Sequence, residues 1–525
     1  MKLWLNGHDL RMSEVVAVAR GLRPVGLAAD AAQRMTASQR FKERLVAEGR
    51  PVYGVTSGFG DSATRQIHGD KAAELQANLL RFLNCGTGPL ATAEVLRATL
   101  LVRANCLARG YSGVRPDLVR LLLDCLATDI LPAIPERGSV GASGDLVPLS
   151  YLARMLTGEG EVIFAGRRMP AADALAQAGL TPLPLQSKEG LALVNGTSFM
   201  SAYAVLAAAE AREVAHAAEL GTAMTTQVLL GEPDHFADFV FRHKPHPGAL
   251  ASASGIRAFL GLDGHGEPLA AEEADASWMS RGYRQMERSL QDRYSMRCAP
   301  HVVGALRDML ATVDDLTTIE INSSNDNPLF DYEHGVVRNG GNFYGSHIGL
   351  ATDALKTAVA SVADLLDRQL ELVVDEKFNN GLPPNLIPRY EPGSRDEGLH
   401  HGFKGMQLTS SALAAEALNR TMPATSFSRS TEAHNQDKVS MGTIAARGAR
   451  DVVELAVQVA AIHLIALCQA ADLRGHEVLS PRTATAHAFI RKHSPALDAD
   501  RPLADDIARV AETIRSGELR DQLGG

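Results

Sequence analysis

Residues 201–220 read SAYAVLAAAEAREVAHAAEL, a run of strong helix formers in which small and apolar side chains predominate. Similar runs recur further along the chain, at residues 296–320, 349–375, 408–418 and 444–473. Several of these segments are apolar around most of a helical surface, and such helices have to be buried on more than one side. The pattern predicts a mainly α protein with a long central helical bundle, and the extent of its apolar surface favours an oligomer.

The sequence on either side of this bundle differs in composition and in the length of the predicted helices. The first 200 residues alternate short helical stretches with glycine-rich connections, namely GVTSGFG at 54–60, CGTG at 85–88 and GSVGASGD at 138–145. Catalytic residues commonly lie on such loops. From Leu479 onward, shorter and more charged helices are expected, with Pro481 among the breakers. We therefore predict three parts: an N-terminal domain of residues 1–200, a central bundle of residues 201–478 and C-terminal short helices of residues 479–525.

Composition and charge exclude several classes of protein. The net charge of −9 comes without a long basic run, which argues against a nucleic-acid or membrane partner and leaves a small molecule as the expected ligand. The five cysteines are dispersed and form no C-x-x-C pair, so neither a disulfide framework nor a zinc knuckle is indicated. The first residues lack the apolar core of a signal peptide, and the apolar run at 455–471 is short for a membrane span. We expect a cytoplasmic protein in which this run is a buried core helix.

One string in the N-terminal part, GSVGASGDLVPLSYLA at 138–153, contains the tripeptide Ala142-Ser143-Gly144. Gly144 has no Cβ, so its amide nitrogen can approach the Ala142 carbonyl carbon in a tight turn. Attack there closes a five-membered ring, and loss of one water from the ring and one from the Ser143 hydroxyl leaves a methylidene conjugated to an imidazolone. This is a strong electrophile that needs no imported cofactor. Taken alone, the same residues are more often a glycine-rich turn before a helix.

The longer string resembles that of the aromatic amino acid lyases, a family of histidine, phenylalanine and tyrosine ammonia-lyases and related aminomutases, whose motif is ASGDLxPLxxxA. Further matches follow in the family's order as far as about Arg474: YGVTSGFG from Tyr53, LQANLLRFLNCGTG from Leu75, NGT from Asn195, QDRYSMR from Gln291, NSSNDNP from Asn322, GGNF from Gly340, NNGLPPNL from Asn379 and HNQDKVSMGTIAAR from His434. The resemblance implies an aspartase/fumarase-like helical fold and a homotetramer in which one active site collects residues from three subunits. It also implies a methylidene-imidazolone built from Ala142, Ser143 and Gly144, and no metal.

Elimination of ammonia needs an activator for the amine, a base at the β-carbon and an anchor for the carboxylate. By resemblance, Ser143 supplies the methylidene, which takes up either the amine or the aromatic ring. Tyr53 matches the base, and a tyrosine serves as a base only where nearby cations or hydrogen-bond donors stabilise the phenolate. Arg297 matches the residue that binds the substrate carboxylate, a role that suits the planar guanidinium.

The remaining matches are pocket residues. By resemblance, Tyr294 is a second active-site tyrosine and Gln291 a neighbouring hydrogen-bond donor. Asn195 and Asn327 match amides that hold the imidazolone and the carboxylate end of the substrate. Other positions that line the family's pocket are Phe343, Glu432 and Gln436. Without the resemblance, each of these is more often an ordinary turn, core or surface residue.

Two neighbouring residues, Phe82 and Leu83, match positions that select the substrate's side chain. By resemblance, Phe-Leu is typical of phenylalanine lyases, His-Leu of tyrosine lyases and Ser-His of histidine lyases, which also carry a carboxylate where this chain has Gln436. An apolar wall accepts a phenyl ring but leaves a phenol or an imidazole without a polar partner. We therefore expect phenylalanine as substrate and trans-cinnamate as product. A tyrosine ammonia-lyase giving 4-coumarate and an aromatic 2,3-aminomutase stay open as alternatives, and a histidine ammonia-lyase is less favoured.

Other classes of function are weaker interpretations. An inactive helical scaffold predicts damage to an essential residue, and none of the essential matches is replaced: Tyr53, Ser143, Asn195, Tyr294 and Arg297. A metal hydrolase is not indicated, because the 17 histidines form no H-E-x-x-H or comparable ligand spacing. A phosphate-binding loop at 54–60 is not indicated either, because no Lys-Ser/Thr pair follows the glycines.

Overall fold

The computed structural model describes residues 2–262, 280–283 and 289–524, and this part of the chain is mainly helical, which confirms the predicted fold class. The longer helices are Met12–Ala19, Ala29–Ala47, Ala72–Leu83, Ala93–Ala108, Pro116–Ala127, Leu146–Leu156, Ser198–Val228, Pro247–Leu260, Ala299–Ile321, Ser346–Val374, Lys404–Asn419, Gly442–Arg474, Pro481–His493 and Ala504–Ser516. The shorter α-helices are Ala171–Gln177, Glu189–Val194, Asp238–Arg242, Tyr294–Arg297 and Glu518–Gln522. Single 3₁₀ turns are Gly60–Thr64, Gly69–Lys71, Pro233–Phe236, Pro384–Leu386, Ala424–Phe427 and His476–Val478.

Short strands form small sheets that fix the ends of several connections. They pair as follows: Leu3–Leu5 with Val25–Leu27 in parallel, Thr87–Leu90 with Pro135–Arg137 antiparallel, Glu161–Phe164 antiparallel with both Leu131–Pro132 and Arg167–Pro170, and Leu329–Asp331 antiparallel with Val336–Arg338. In the second of these sheets Arg137 lies opposite Thr87. That pairing anchors the backbone immediately before the loop that carries the Ala142-Ser143-Gly144 tripeptide.

The chain folds into two compact units, each made of three separate segments. The first unit consists of Met1–Ala209, Thr312–Ala354 and Met422–Arg450, and the second of Glu210–Ala311, Leu355–Thr421 and Asp451–Gly525. Among the helices described, the longest contribute residues to both units: Ser198–Val228, Ala299–Ile321, Ser346–Val374 and Gly442–Arg474. The predicted domain boundaries at residues 200 and 478 differ from this division, because a change of composition marks the ends of helices whereas the units divide within them.

The central helices predicted from apolar runs are all present, although three of them differ clearly in extent. The run at 201–220 lengthens to Ser198–Val228. The run at 296–320 is the short helix Tyr294–Arg297 followed by Ala299–Ile321. The run at 408–418 lengthens to Lys404–Asn419. Polar residues occupy the first and last turns of this last helix, and a prediction from apolar residues does not count them.

The C-terminal helices show one clear difference from prediction. Pro481, predicted as a breaker, is the first residue of the Pro481–His493 helix. The preceding Ser480 caps this helix, because its hydroxyl accepts the N–H of Thr483 at 3.3 Å. A first-turn N–H has no partner within its helix, so a proline there removes nothing and marks a start.

The Ala93–Ala108 helix lies at the centre of the first unit. It packs against the Met12–Ala19 and Pro116–Ala127 helices, and 13 of its 16 residues are buried. Three of the buried residues are polar, Thr99, Arg103 and Asn105. Because most of this helix is enclosed, it carries a guanidinium group into the interior of the first unit.

One helix in the described part of the chain, Gly442–Arg474, is long and apolar enough to cross a membrane by length and composition. However, 78% of its most apolar window is buried inside the structure. Its polar residues His463 and Gln469 are buried with the apolar ones. Such burial is typical of a core helix in a folded domain, as predicted for residues 455–471.

Candidate active site

The Ala142-Ser143-Gly144 tripeptide lies in irregular backbone between the Pro135–Arg137 strand and the Leu146–Leu156 helix. Gly144 has a φ of +73°, and a Cβ added to it would lie 2.1 Å from the carbonyl oxygen of Gly196. The two glycines form an isolated parallel bridge. No other residue fits this position without moving backbone, so Gly144 is required for the chain to approach itself so closely.

The Ser143 carbonyl oxygen accepts two hydrogen bonds from the segment that follows the Glu189–Val194 helix. The side-chain amide of Asn195 donates to it at 3.0 Å, and the backbone N–H of Gly196 donates at 3.2 Å. In return, the N–H of Asp145 donates to the Gly196 carbonyl at 2.7 Å. These bonds withdraw electron density from the Ser143 carbonyl and hold the tripeptide in one conformation.

Asp145, which follows the tripeptide, ties it to the start of the Ser198–Val228 helix. Its carboxylate accepts two backbone N–H groups of that helix at 2.9 and 3.1 Å, as well as the hydroxyls of Ser139 at 3.1 Å and of Thr443. Complete burial raises the pKa of Asp145 to about 6, although these hydrogen bonds favour the carboxylate. The donors satisfy a carboxyl group that would otherwise be costly to bury.

Tyr53 begins the glycine-rich loop at 54–60. The N–H of Gly60 donates to its phenolic oxygen at 3.0 Å, and Gly54 has a φ of +62° in close contact with the side chain of Leu191. At the end of the loop, the N–H of Asp61 donates to the Glu432 carboxylate at 3.1 Å. The loop is therefore held at both ends, with a donor already directed at the oxygen that would carry charge in a phenolate.

Glu432 lies in a left-handed turn. Glu432, Ala433 and His434 have φ values of 52°, 51° and 64°, and Thr431 and Gln436 close the turn with paired backbone hydrogen bonds of 3.0 and 3.3 Å. Left-handed backbone is unfavourable for residues other than glycine. Strain of this kind is found most often at functional sites, where the surrounding structure maintains it.

The tripeptide, the Tyr53 loop and the left-handed turn surround a cavity of about 740 Å³. Eleven of the predicted site residues line it: Tyr53, Phe82, Leu83, Ala142, Ser143, Gly144, Asn195, Asn327, Phe343, Glu432 and Gln436. A cavity of this size accommodates an amino acid with an aromatic side chain. Phe82 lines this cavity, and 63% of its surface is exposed. Its ring is therefore available to contact a bound molecule.

Three predicted site residues, Gln291, Tyr294 and Arg297, belong to the second unit and are not among the residues that line this cavity. Tyr294 is 72% exposed. The guanidinium of Arg297 lies 4.7 Å from the centre of the Tyr294 ring, and its Nε has no hydrogen-bond partner among the residues that the structure describes. The cavity lining of the first unit therefore includes the tripeptide and the predicted selectivity residues, and it does not include the predicted carboxylate anchor.

Several lining residues were not predicted from the sequence. Leu79, Val147 and Leu191 add apolar surface, and Tyr344 and Lys438 add polar groups. Leu79 could have been found, because it lies one helical turn before Phe82 and Leu83 in the Ala72–Leu83 helix. Val147 and Lys438 lie within strings already matched by resemblance, whereas Leu191 and Tyr344 join the cavity through contacts that no local pattern records.

One group of His, Cys, Asp and Glu side chains in the described residues is close enough to hold a metal ion, and it lies in the second unit: Asp472, His476 and His487. Both histidines contact the same carboxylate oxygen, at 2.8 and 2.7 Å, and Arg491 pairs with the other oxygen at 2.6 Å. The carboxylate is already neutralised by a cation, so the arrangement is satisfied as an ion-pair network.

Comparisons with known proteins agree with this geometry. A family profile described as aromatic amino acid lyase matches residues 10–492. The chain is 40% identical to a histidine ammonia-lyase of Geobacillus thermodenitrificans over 99% of each chain. It is 39% identical to a tyrosine ammonia-lyase of Cupriavidus metallidurans, over 99% of this chain and 97% of that one. A solved structure of a tyrosine aminomutase from Streptomyces globisporus superposes with a TM-score of 0.91 at 36% identity and covers 100% of this chain and 98% of that one.

These comparisons settle the family and the class of chemistry. Relatives named as ammonia-lyases over the full length identify an enzyme of the carbon–nitrogen lyase class, and the family supports a cofactor of the methylidene-imidazolone type in general. The predicted closest resemblance to phenylalanine ammonia-lyases is not confirmed, because these curated relatives are histidine and tyrosine enzymes. With the profile covering most of its length and relatives similar from end to end, the chain belongs to the aromatic amino acid lyase family.

Proposed function

We propose that this enzyme eliminates ammonia from L-phenylalanine to give trans-cinnamate, using an electrophile formed from Ala142, Ser143 and Gly144. The observation that carries the proposal is the wall of the cavity, where the accessible ring of Phe82 is joined by Leu79, Leu83 and Val147. Such a wall favours an unsubstituted phenyl ring over a ring with a polar group.

The residues present fit a methylidene-imidazolone. Gly144 has the positive φ and the missing Cβ that ring closure onto Ala142 requires. The Ser143 carbonyl, which would become the ring carbonyl, already accepts N–H groups from Asn195 and Gly196. When formed, the group supplies a conjugated methylidene that activates either the amine or the aromatic ring of the substrate.

Tyr53 is the proposed base that removes the β-proton. Its phenolic oxygen accepts the N–H of Gly60 at 3.0 Å, which fixes the position of the oxygen that would take the proton. Glu432 fixes the far end of the same loop through the N–H of Asp61, so the tyrosine is held at the cavity rather than in solvent. A base has to lie within hydrogen-bond reach of its proton, which a held loop provides.

The proposed carboxylate anchor comes from a neighbouring subunit. In one chain Tyr294 is largely exposed, and Arg297 makes no ion pair with any residue that the structure describes. An arginine without a carboxylate partner is suited to bind one from a ligand. We therefore propose a cytoplasmic homotetramer in which Gln291, Tyr294 and Arg297 complete the cavity of another subunit.

Histidine is the second candidate substrate, because a relative with 40% identity is named a histidine ammonia-lyase. An imidazole needs a polar partner in the cavity, and position 436 is a glutamine, not a carboxylate. The nearby carboxylate of Glu432 is already occupied by the N–H of Asp61 and the side-chain amide of Asn435, at 3.1 and 2.7 Å. Tyrosine, an aminomutase reaction and an inactive scaffold are the remaining alternatives.

Separate incubations with phenylalanine, tyrosine and histidine test the proposal. The conjugated products cinnamate, coumarate and urocanate are followed by absorbance, and β-amino acids are sought by chromatography. We expect the highest kcat/KM for phenylalanine and a protein mass two waters below the encoded value. Faster urocanate formation contradicts the proposed substrate, accumulation of β-amino acid identifies an aminomutase, and an unmodified mass with no product supports the scaffold.

A further inference from the structure

The most unusual charge in the first unit is the guanidinium of Arg103, which is completely buried in the Ala93–Ala108 helix. It has no carboxylate within ion-pair distance among the described residues, and its Nε has no hydrogen-bond partner there. Two other cations of this unit are fully buried: Lys188 is paired with Asp326 at 2.8 Å, and Lys42 donates to the carbonyl and hydroxyl oxygens of Ser187 at 3.2 and 3.1 Å. A buried cation without a counter-charge is costly, so a purely structural role explains Arg103 poorly.

The contacts of Arg103 lead to the tripeptide. Its Nη2 donates to Sγ of Cys106 on the same helix at 2.5 Å, and its Nη1 donates to the carbonyl oxygen of Asn195 at 2.9 Å. That carbonyl and the N–H of Gly196 are the two ends of one peptide group, and this N–H donates to the Ser143 carbonyl at 3.2 Å. Hydrogen bonds linked in this way polarise one another, and most strongly in a buried environment. A positive charge at the carbonyl end therefore makes the Gly196 N–H a stronger donor.

Gly196 is built to allow this contact. Its φ is +151°, and a Cβ added there would lie 2.2 Å from Nη1 of Arg103 and 2.4 Å from the Asn325 carbonyl oxygen. Any side chain would push the guanidinium away from the Asn195 carbonyl. The Asn-Gly pair, which is an ordinary turn former by sequence, is here the point at which a buried cation meets the backbone that holds Ser143.

We propose that Arg103 is a positioning residue that polarises the Asn195–Gly196 peptide toward the Ser143 carbonyl and so increases the reactivity of the electrophile formed there. The inference rests on the proposed function, because it requires that Ser143 become part of that electrophile. A polarised carbonyl favours loss of the Ser143 Cα proton and hydroxyl as water, and it makes the resulting conjugated methylidene more electron-poor. Arg103 itself touches neither the substrate nor the reacting carbon.

The test compares Arg103→Met, which keeps length and removes charge, with Arg103→Lys, which keeps the charge. Arg97→Met is the matched control, since Arg97 lies on the same helix and pairs with Asp129 at 2.7 Å on the surface. Four quantities are measured: the intact mass, the rate of inactivation by cyanide without substrate, kcat and KM for phenylalanine, and Tm. Cyanide reports the reactivity of the electrophile independently of turnover.

For Arg103→Met we expect incomplete or slow loss of water, or complete loss with cyanide inactivation and kcat about tenfold slower, as for one lost charge-assisted hydrogen bond. KM and Tm change little, Arg103→Lys recovers part of the reactivity, and Arg97→Met matches wild type. A fully dehydrated Arg103→Met with wild-type cyanide reactivity and kcat overturns the inference, whatever happens to Tm. If Arg103→Met does not fold, Arg103→Gln, which carries no charge but keeps a donor amide, has to slow cyanide inactivation in the same way.

The two proposals fail differently. A wild-type protein that loses two waters and reacts with cyanide but does not convert phenylalanine contradicts only the proposed substrate, and the comparison of Arg103 variants is still decided by cyanide. A wild-type protein of unmodified mass overturns both.

Discussion

Ser143 is the residue on which the proposed chemistry depends. An alanine at this position has no hydroxyl to lose, so no methylidene can form. We expect Ser143→Ala to reduce turnover of phenylalanine by at least about 1,000-fold, the scale on which loss of an essential catalytic group acts. Its intact mass has to show the loss of no more than one water, and its elution volume in gel filtration has to equal that of wild type.

The expected result for Ser143→Ala separates chemistry from folding. The substitution removes only the hydroxyl. The hydrogen bonds from Asn195 and Gly196 are made to the Ser143 backbone carbonyl, so they are kept. A normal rate of turnover by this variant is incompatible with an electrophile derived from Ser143. A variant that aggregates or elutes differently indicates instead that the side chain has a structural role.

Phe82 tests the substrate preference. Its ring is 63% exposed and lines the cavity, so an imidazole there can meet a phenol without disturbing a packed core. We expect Phe82→His to raise the ratio of kcat/KM for tyrosine to that for phenylalanine by about tenfold, the worth of one hydrogen bond at about 1.4 kcal/mol. Phe82→Leu is the control, because it removes the ring and adds no polar partner. An unchanged ratio in Phe82→His contradicts the role given to this position.

At the scale of single elements, the turn that carries Glu432 makes a prediction about strain. Ala433 is exposed and has a φ of 51°, a conformation that costs an L-residue about 1–2 kcal/mol and glycine almost nothing. We expect Ala433→Gly to leave Tm unchanged or raise it, whereas Ala433→Val, whose branched side chain fits this conformation worse, lowers Tm and raises KM. If both variants lower Tm by the same large amount, then side-chain packing, and not backbone conformation, determines the stability at this position.

The helices also show which structural features can be predicted from the sequence. Long apolar runs predicted the central helices, because a helix that is buried along its length has apolar residues throughout one continuous stretch of sequence. Pro481 was misread as a breaker because a proline both ends and begins helices, and only the cap at Ser480 distinguishes the two. The strings matched by resemblance supply eleven of the residues that line the cavity of the first unit, and the roles given to these residues stay predictions.

Contacts between distant residues account for what the sequence could not predict. Arg103 and Asn195 are 92 positions apart, and nothing around Arg103 in the Ala93–Ala108 helix distinguishes it from an arginine at the surface. Asp145 is likewise an ordinary helix-start residue until its bond with Thr443, 298 positions away, is known. Roles that depend on which segments meet in space are invisible in local patterns.

For the molecule as a whole, two histidines of the second unit, the buried His463 and the half-buried His216, contribute to how stability responds to acid. Burial lowers the pKa of His463 to about 3, and burial together with nearby arginines lowers the pKa of His216 to about 4. Both have an ordinary value of 6.5, so the unfolded chain takes up protons first as the pH falls. The stability they provide is fully present above about pH 6.5 and is lost between there and pH 4 to 3. Asp145 acts in the opposite direction, because its raised pKa makes the folded chain take up a proton first below about pH 6.

We therefore expect His463→Gln to flatten the acid limb of a plot of stability against pH. Each neutral buried histidine contributes a slope of about 1.4 kcal/mol per pH unit in that window, and a glutamine removes this contribution while it can still donate to Thr225, the partner of His463 at 3.1 Å. Tm measured from pH 7.5 to 4.5 has to fall less steeply for His463→Gln than for wild type, whereas the exposed control His401→Gln has to follow the wild-type curve. Parallel curves for all three proteins would show that His463 takes up no proton when this enzyme unfolds in acid, and that its acid sensitivity has its origin in other groups.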